Sequence, residues 1–118
     1  MKLTPQMSLG FDGQCEAAFK AYERILNGSI SFMLTWGDSP MAENVPPGWA
    51  AKICHATISV GDVEMSGADM PPGRYERPQG FSIVLQMDDP DAAERVFESL
   101  AEGGRVDMPI QETFWAPR

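Results

Sequence analysis

FDGQCEAAFKAYERILNGSISFML, residues 11–34, decides the architecture of this 118-residue chain, because a weaker copy of it returns near the C-terminus. Ala17, Ala18, Tyr22, Ile25 and Leu26 reappear as Ala92, Ala93, Phe97, Leu100 and Ala101, each 75 positions further on (17 to 92, 25 to 100). Both copies follow an apolar run, at 7–11 and 81–87, and both stop at a glycine-containing pair, Asn27-Gly28 or Gly103-Gly104. Two amphipathic helices alone can fall at any spacing. The matching strand before, glycine stop after and strand beyond make a duplicated strand–helix–strand unit the better reading.

Working outward, residues 2–11 alternate loosely, with Leu3, Met7, Leu9 and Phe11 on one face and Gln6 and Ser8 on the other, which predicts a strand. Asp12-Gly13 makes the turn, and either residue can cap a helix starting around Gln14, whose Glu16 suits the positive end of the dipole. Gly28 is the expected left-handed stop. A second strand is expected at 30–36, with Ile30, Phe32 and Leu34 on one side and Ser31, Met33 and Thr35 on the other. Residues 37–51 hold three prolines and two glycines and read as a long loop, functional or mobile rather than a plain connector, tethered by Trp49. Residues 52–60 form a third strand, with Cys54, Ala56, Ile58 and Val60 apolar and Ile53, His55, Thr57 and Ser59 on the more polar side. Gly61-Asp62 is a hairpin turn leading into a fourth, antiparallel strand at 63–67. After a linker at 68–80 come a strand at 81–87, a helix at 90–102 opened by Pro90, a strand at 105–110 and a tail.

The totals describe one domain with a single core. Hydrophobic content of 43% and charged content of 22% are globular values. No apolar run approaches the ~20 residues that span a bilayer, and the N-terminus lacks a signal-peptide core. Cys15 and Cys54 form no metal or redox spacing, and two thiols without an export signal point to the cytoplasm. A formal charge of −8 repels phosphate backbones, so nucleic acid is not an expected partner, and without a spanning run neither is a membrane.

The first half is thus strand–helix–strand–strand–strand, and the second stops after strand–helix–strand. That layout resembles the glyoxalase/bleomycin-resistance, or vicinal oxygen chelate, superfamily, and within it the PhnB-like branch that also carries the domain label 3-demethylubiquinone-9 3-methyltransferase. The residues that carry the resemblance are Phe11 to Ala17 with Phe19 and Tyr22, Trp36-Gly37-Asp38, Val45-Pro46, Lys52-Ile53-Cys54-His55-Ala56 and Met108 to Trp115. The resemblance implies an α+β fold of paired βαβββ modules whose curled sheets enclose a cavity. On this reading a single glyoxalase-like domain fills 1–118, with module one at 1–67, the linker at 68–80 and module two at 81–118 lacking its last two strands. Either the chain is truncated or a partner completes the sheet. Side-by-side assembly of sheets in the family implies a homodimer.

The superfamily's metal chemistry needs three or four His/Glu donors around an ion with an open position. The resemblance places those positions near Gln6, Met65 and Ser82, which are poor ligands, and the only histidine, His55, lies on a strand that supplies none. No metal and no cofactor are therefore expected. The methyltransferase label finds no support in a glycine-rich strand–turn–helix, and neither cysteine has a histidine beside it for nucleophilic catalysis. Cys15 is either activated by the helix N-terminus or a buried structural thiol. His55 is either a cavity group able to take both charge states near neutrality or a strand histidine satisfied by its neighbours. The tryptophans and Phe114 line an apolar pocket or pack a core and dimer interface. The ligand-binding candidates are Gln6, Ser8, Trp36, His55, Thr57, Glu112 and Trp115, around an unidentified small molecule; no catalytic residue is assigned. A metal-dependent lyase, dioxygenase or isomerase and a ligand-free dimeric interaction module are the alternatives.

Overall fold

A computed structural model describes residues 1–111 of the chain. They group into two compact units, Met1–Phe81 and a second that begins at Ser82. The first unit holds strand β1 (Met7–Phe11), helix α1 (Cys15–Leu26) and strands β2 (Ser29–Thr35), β3 (Ile53–Val60) and β4 (Val63–Asp69). The four strands form one sheet in the order β1-β4-β3-β2. β1 runs parallel to β4, while β4–β3 and β3–β2 are antiparallel. This is a complete βαβββ unit of the expected α+β class.

Helix α1 lies on one face of that sheet because its apolar residues recur at helical spacing. Cys15 and Phe19 are fully buried against Ile53, Ala56, Ile58 and Met65, with Phe11, Tyr22, Ile30, Met33 and Val60 packed around them. The Phe19 ring meets Phe11 edge-on at 6.1 Å and Tyr22 at 6.0 Å. It lies so close over β4 that a Cβ on Gly67 would sit 2.7 Å from its Cζ. Gly67 is therefore fixed by an aromatic ring and not by a turn.

The expected caps are corrected. Neither Asp12 nor Gly13 caps α1, and Gln14 at the cap position offers its own helix no side-chain bond. Backbone N–H groups at the entry to the helix, Gly13 before the cap and Cys15 in the first turn, instead reach Asp69, which is 1% exposed. Its Oδ1 accepts from the N–H of Gly13 (3.0 Å) and Cys15 (2.9 Å), and its Oδ2 from that of Ile53 (2.8 Å). At the other end Asn27, not Gly28, takes the left-handed conformation (φ 54°). Gly28 is required because a Cβ there would lie 2.8 Å from the Ser59 carbonyl oxygen.

Two bulges correct the expected strand faces. The pairing of β2 with β3 slips between Ile30 and Phe32 and again between Leu34 and Thr35. An extra residue in one strand reverses the alternation beyond it. Ile30 and Met33 thus both reach the core, Phe32 turns to the opposite face, and Ile53 joins Ala56 and Ile58 in the core while Cys54 is only half-buried. The 37–51 loop is closed at its neck by Trp36 N–H to the Lys52 carbonyl (2.8 Å) and Gly37 N–H to that of Ala50 (2.9 Å).

The second unit contains helix α2 (Pro90–Ala101), opened by Pro90 as expected and capped by Asp89, whose carboxylate accepts from Asp91 N–H at 3.0 Å. The strands expected at 81–87 and 105–110 are not formed among the described residues. β propensity yields a strand only where a second edge takes up its backbone groups, and neither run has a ladder partner among the described residues.

Candidate functional site

Pairing register builds the site. Phe32 of β2 stands opposite Thr57 of β3, Thr57 opposite Ser66 of β4, and Ser66 opposite Ser8 of β1. Directly opposed residues share a face, so these four form a row across the sheet. Ala56, Ile58, Met65 and Gly67 occupy the alternate positions against α1, which leaves the row on the face turned away from the helix. His55, two residues before Thr57 and opposite Leu34, belongs to that same face.

The polar groups there hold one another. The buried Ser66 hydroxyl donates to Gln6 Oε1 at 2.9 Å, and Gln6 Nε2 donates to Glu64 Oε1 at 2.8 Å. The ring of His55 lies 5.8 Å from that of Phe32, which is 48% exposed, and its Nε2 is 3.4 Å from the Thr57 hydroxyl oxygen. Gln6, Ser8, His55 and Thr57 are thus brought onto one surface, a floor of donors and acceptors beside an exposed aromatic ring. Phe32, Glu64 and Ser66 belong to it as well. The Glu64-x-Ser66 alternation was legible in sequence, but which face it took depended on register; Phe32 was hidden by the bulge.

Trp36 is elsewhere. Its indole N–H donates to the Asp69 carbonyl at 3.0 Å, and its ring walls a cleft of about 330 Å3 together with Trp49, Val45, Pro71, Pro72 and Arg74, to which none of the four sheet-face candidates contributes. Glu112 and Trp115 lie outside the described residues.

The Cys15 thiol is not placed for nucleophilic work. Cys15 is sealed in the core, where burial, and then the charges of Asp69 and Glu16, push its pKa up to about 12. The structural reading of Cys15 therefore stands, in place of activation by the helix.

Known proteins share this fold. The glyoxalase/bleomycin resistance protein/dioxygenase superfamily profile fits residues 9–118. The chain belongs to that superfamily. Protein YjdN of Escherichia coli (strain K12) is 35% identical over an alignment of 126 residues, covering 98% of this chain and 83% of YjdN. The crystal structure of protein PA1353 from Pseudomonas aeruginosa is similar at a TM-score of 0.83 and 41% identity, covering 97% of this chain and 85% of that one. A putative 3-demethylubiquinone-9 3-methyltransferase, PhnB protein, from Bacillus cereus shares the fold at a TM-score of 0.73 and 18% identity, over 98% and 86% of the two chains.

The donors on this face are poorly suited to a divalent ion. Gln6 and Glu64 are adjacent, yet the amide is engaged by Ser66 and Glu64 on its two ends, and Met65 is turned into the core. Among the described residues no three His, Cys, Asp or Glu side chains group to hold an ion. With the Gln6 oxygen taken by the Ser66 hydroxyl and a Glu64 oxygen by the Gln6 amide N–H, the described residues do not make a catalytic centre of three or four ligands.

Proposed function

We propose that this chain is a small-molecule binding protein that works without a metal ion, its ligand held on the polar face of the four-stranded sheet. The observation that supports this is the convergence of Gln6, Ser8, His55, Thr57 and Ser66 beside the exposed Phe32 ring. Polar groups already fixed by one another, next to apolar surface, are the usual make-up of such sites. The Gln6–Ser66 bond orients the amide before any ligand arrives, which lowers the ordering cost of binding.

The test is a thermal-shift screen of small metabolites on protein purified without chelators, with each hit titrated against Gln6→Leu and Thr57→Val. The expected result is a several-fold weaker affinity in each variant, the effect of one lost net hydrogen bond. A stoichiometric divalent ion by elemental analysis, or hits indifferent to both substitutions, overturns the reading.

We further propose that it acts as a cytoplasmic homodimer. Phe81, Ile83, Val84, Leu85 and Met87 form a short run of exposed apolar side chains, the kind of surface that marks an association site. Two free thiols suit a reducing compartment.

A further inference from the structure

The cleft around Trp36 has no part in the sheet-face reading, and its chemistry is different. Two indoles, Trp36 and Trp49, and the prolines Pro71 and Pro72 give it flat apolar walls, and among the described residues Arg74 is the one charged side chain lining it. The Trp36 N–H is already satisfied by the Asp69 carbonyl, so that indole offers its ring and not a donor. The Arg74 guanidinium has neither a hydrogen-bonded nor an ion-paired carboxylate among the described residues, although acidic side chains outnumber basic ones 17 to 9 in the chain. The loop that forms the cleft is held by hydrogen bonds of its own. It is pinned by the Trp36–Lys52 and Gly37–Ala50 bonds, and by buried Ser39, whose hydroxyl donates to the Trp36 carbonyl at 2.7 Å and accepts from Met41 N–H at 3.1 Å.

From this geometry we infer a second binding site, for a planar aromatic carboxylate. The ring stacks against the tryptophan walls, where base-like flat rings gain most from π faces, and the carboxylate pairs with Arg74, whose fork matches two oxygens. A cationic ligand is disfavoured by Arg74, and a phosphate would find a single charged donor. At about 330 Å3 the volume suits one small ring system with its acid group.

The test uses the full chain, 15N-labelled, with 4-hydroxybenzoate as probe and 4-hydroxybenzamide as its uncharged counterpart. The indole N–H signals are assigned from Trp36→Phe and Trp49→Phe. The acid shifts the Trp36 and Trp49 signals to saturation and binds about tenfold more tightly than the amide, the difference a charge-assisted pair makes. Arg74→Gln, a change at an exposed side chain, abolishes that preference, while Thr57→Val on the sheet face leaves it intact. Equal binding of acid and amide, a preference that survives Arg74→Gln, or shifts removed by Thr57→Val overturns the inference. The sheet-face reading survives any of these results, since its own variants are Gln6→Leu and Thr57→Val scored on different ligands.

Discussion

Cys15 shows how a residue's surroundings reverse the chemistry its position suggests. A thiol in the first turn of a helix is ordinarily stabilised as thiolate by the dipole. Here burial and the neighbouring carboxylates of Asp69 and Glu16 win, raising its pKa from 9.0 to about 12. The sign of the pH effect follows. Above about pH 9 the unfolded thiol loses its proton while the folded one keeps it, so the unfolded state binds fewer protons and stability falls as pH rises, until the folded thiol itself titrates near 12. Denaturant unfolding at pH 8 to 11 should show the native chain losing up to about 1.4 kcal/mol per pH unit more than Cys15→Ala over the upper part of that range. Parallel profiles for the two proteins would refute the assignment. Tyr22, half-buried in the same cluster, is raised in the same direction by desolvation.

At the scale of the element, α1 is a helix held at its start by a strand. Asp69 joins the last residue of β4 to the first turn of α1 and to the first residue of β3, three N–H groups on one carboxylate. Asp69→Ala leaves these donors buried and unpaired and should cost at least about 3 kcal/mol in denaturant unfolding, since each orphaned donor is worth about 1–3. Asp69→Asn should recover part of that loss only, because one of the two acceptor positions becomes an NH2 facing an N–H. An asparagine variant as stable as the native chain would show that a single oxygen suffices. At the far end, Glu23 Oε2 accepts from Ile30 N–H at 2.9 Å and ties the helix exit to β2. The sequence made α1 visible through the spacing of Ala18, Tyr22, Ile25 and Leu26, although Cys15 and Phe19 are its fully buried residues, and Asp69 fell in what reads as linker. A cap supplied from 54 positions away leaves no local pattern to find.

For the whole molecule, the consequence to measure is association. Light scattering on the full chain at micromolar concentration should give twice the 13.0 kDa chain mass, and Val84→Glu, which puts a charge on a side chain 73% exposed, should shift the population toward monomer. A monomer throughout this range counts against the homodimer. The βαβββ order, the amphipathic character of α1 and the start of α2 at Pro90 can be read from the residues alone, because helix period, turn residues and proline act within a few positions. The alternation of β1 and β3 also put Gln6, Ser8, His55 and Thr57 on the candidate roster. The pairing of Phe32 with His55, the place of Trp36 in a cleft with Arg74 and the lack of a ladder partner for 81–87 among the described residues emerge in the folded chain and not before. Register, bulges and long-range hydrogen bonds are set by which backbone groups meet across the sheet, and a one-residue slip turns a side chain from core to surface without altering the residues that precede it.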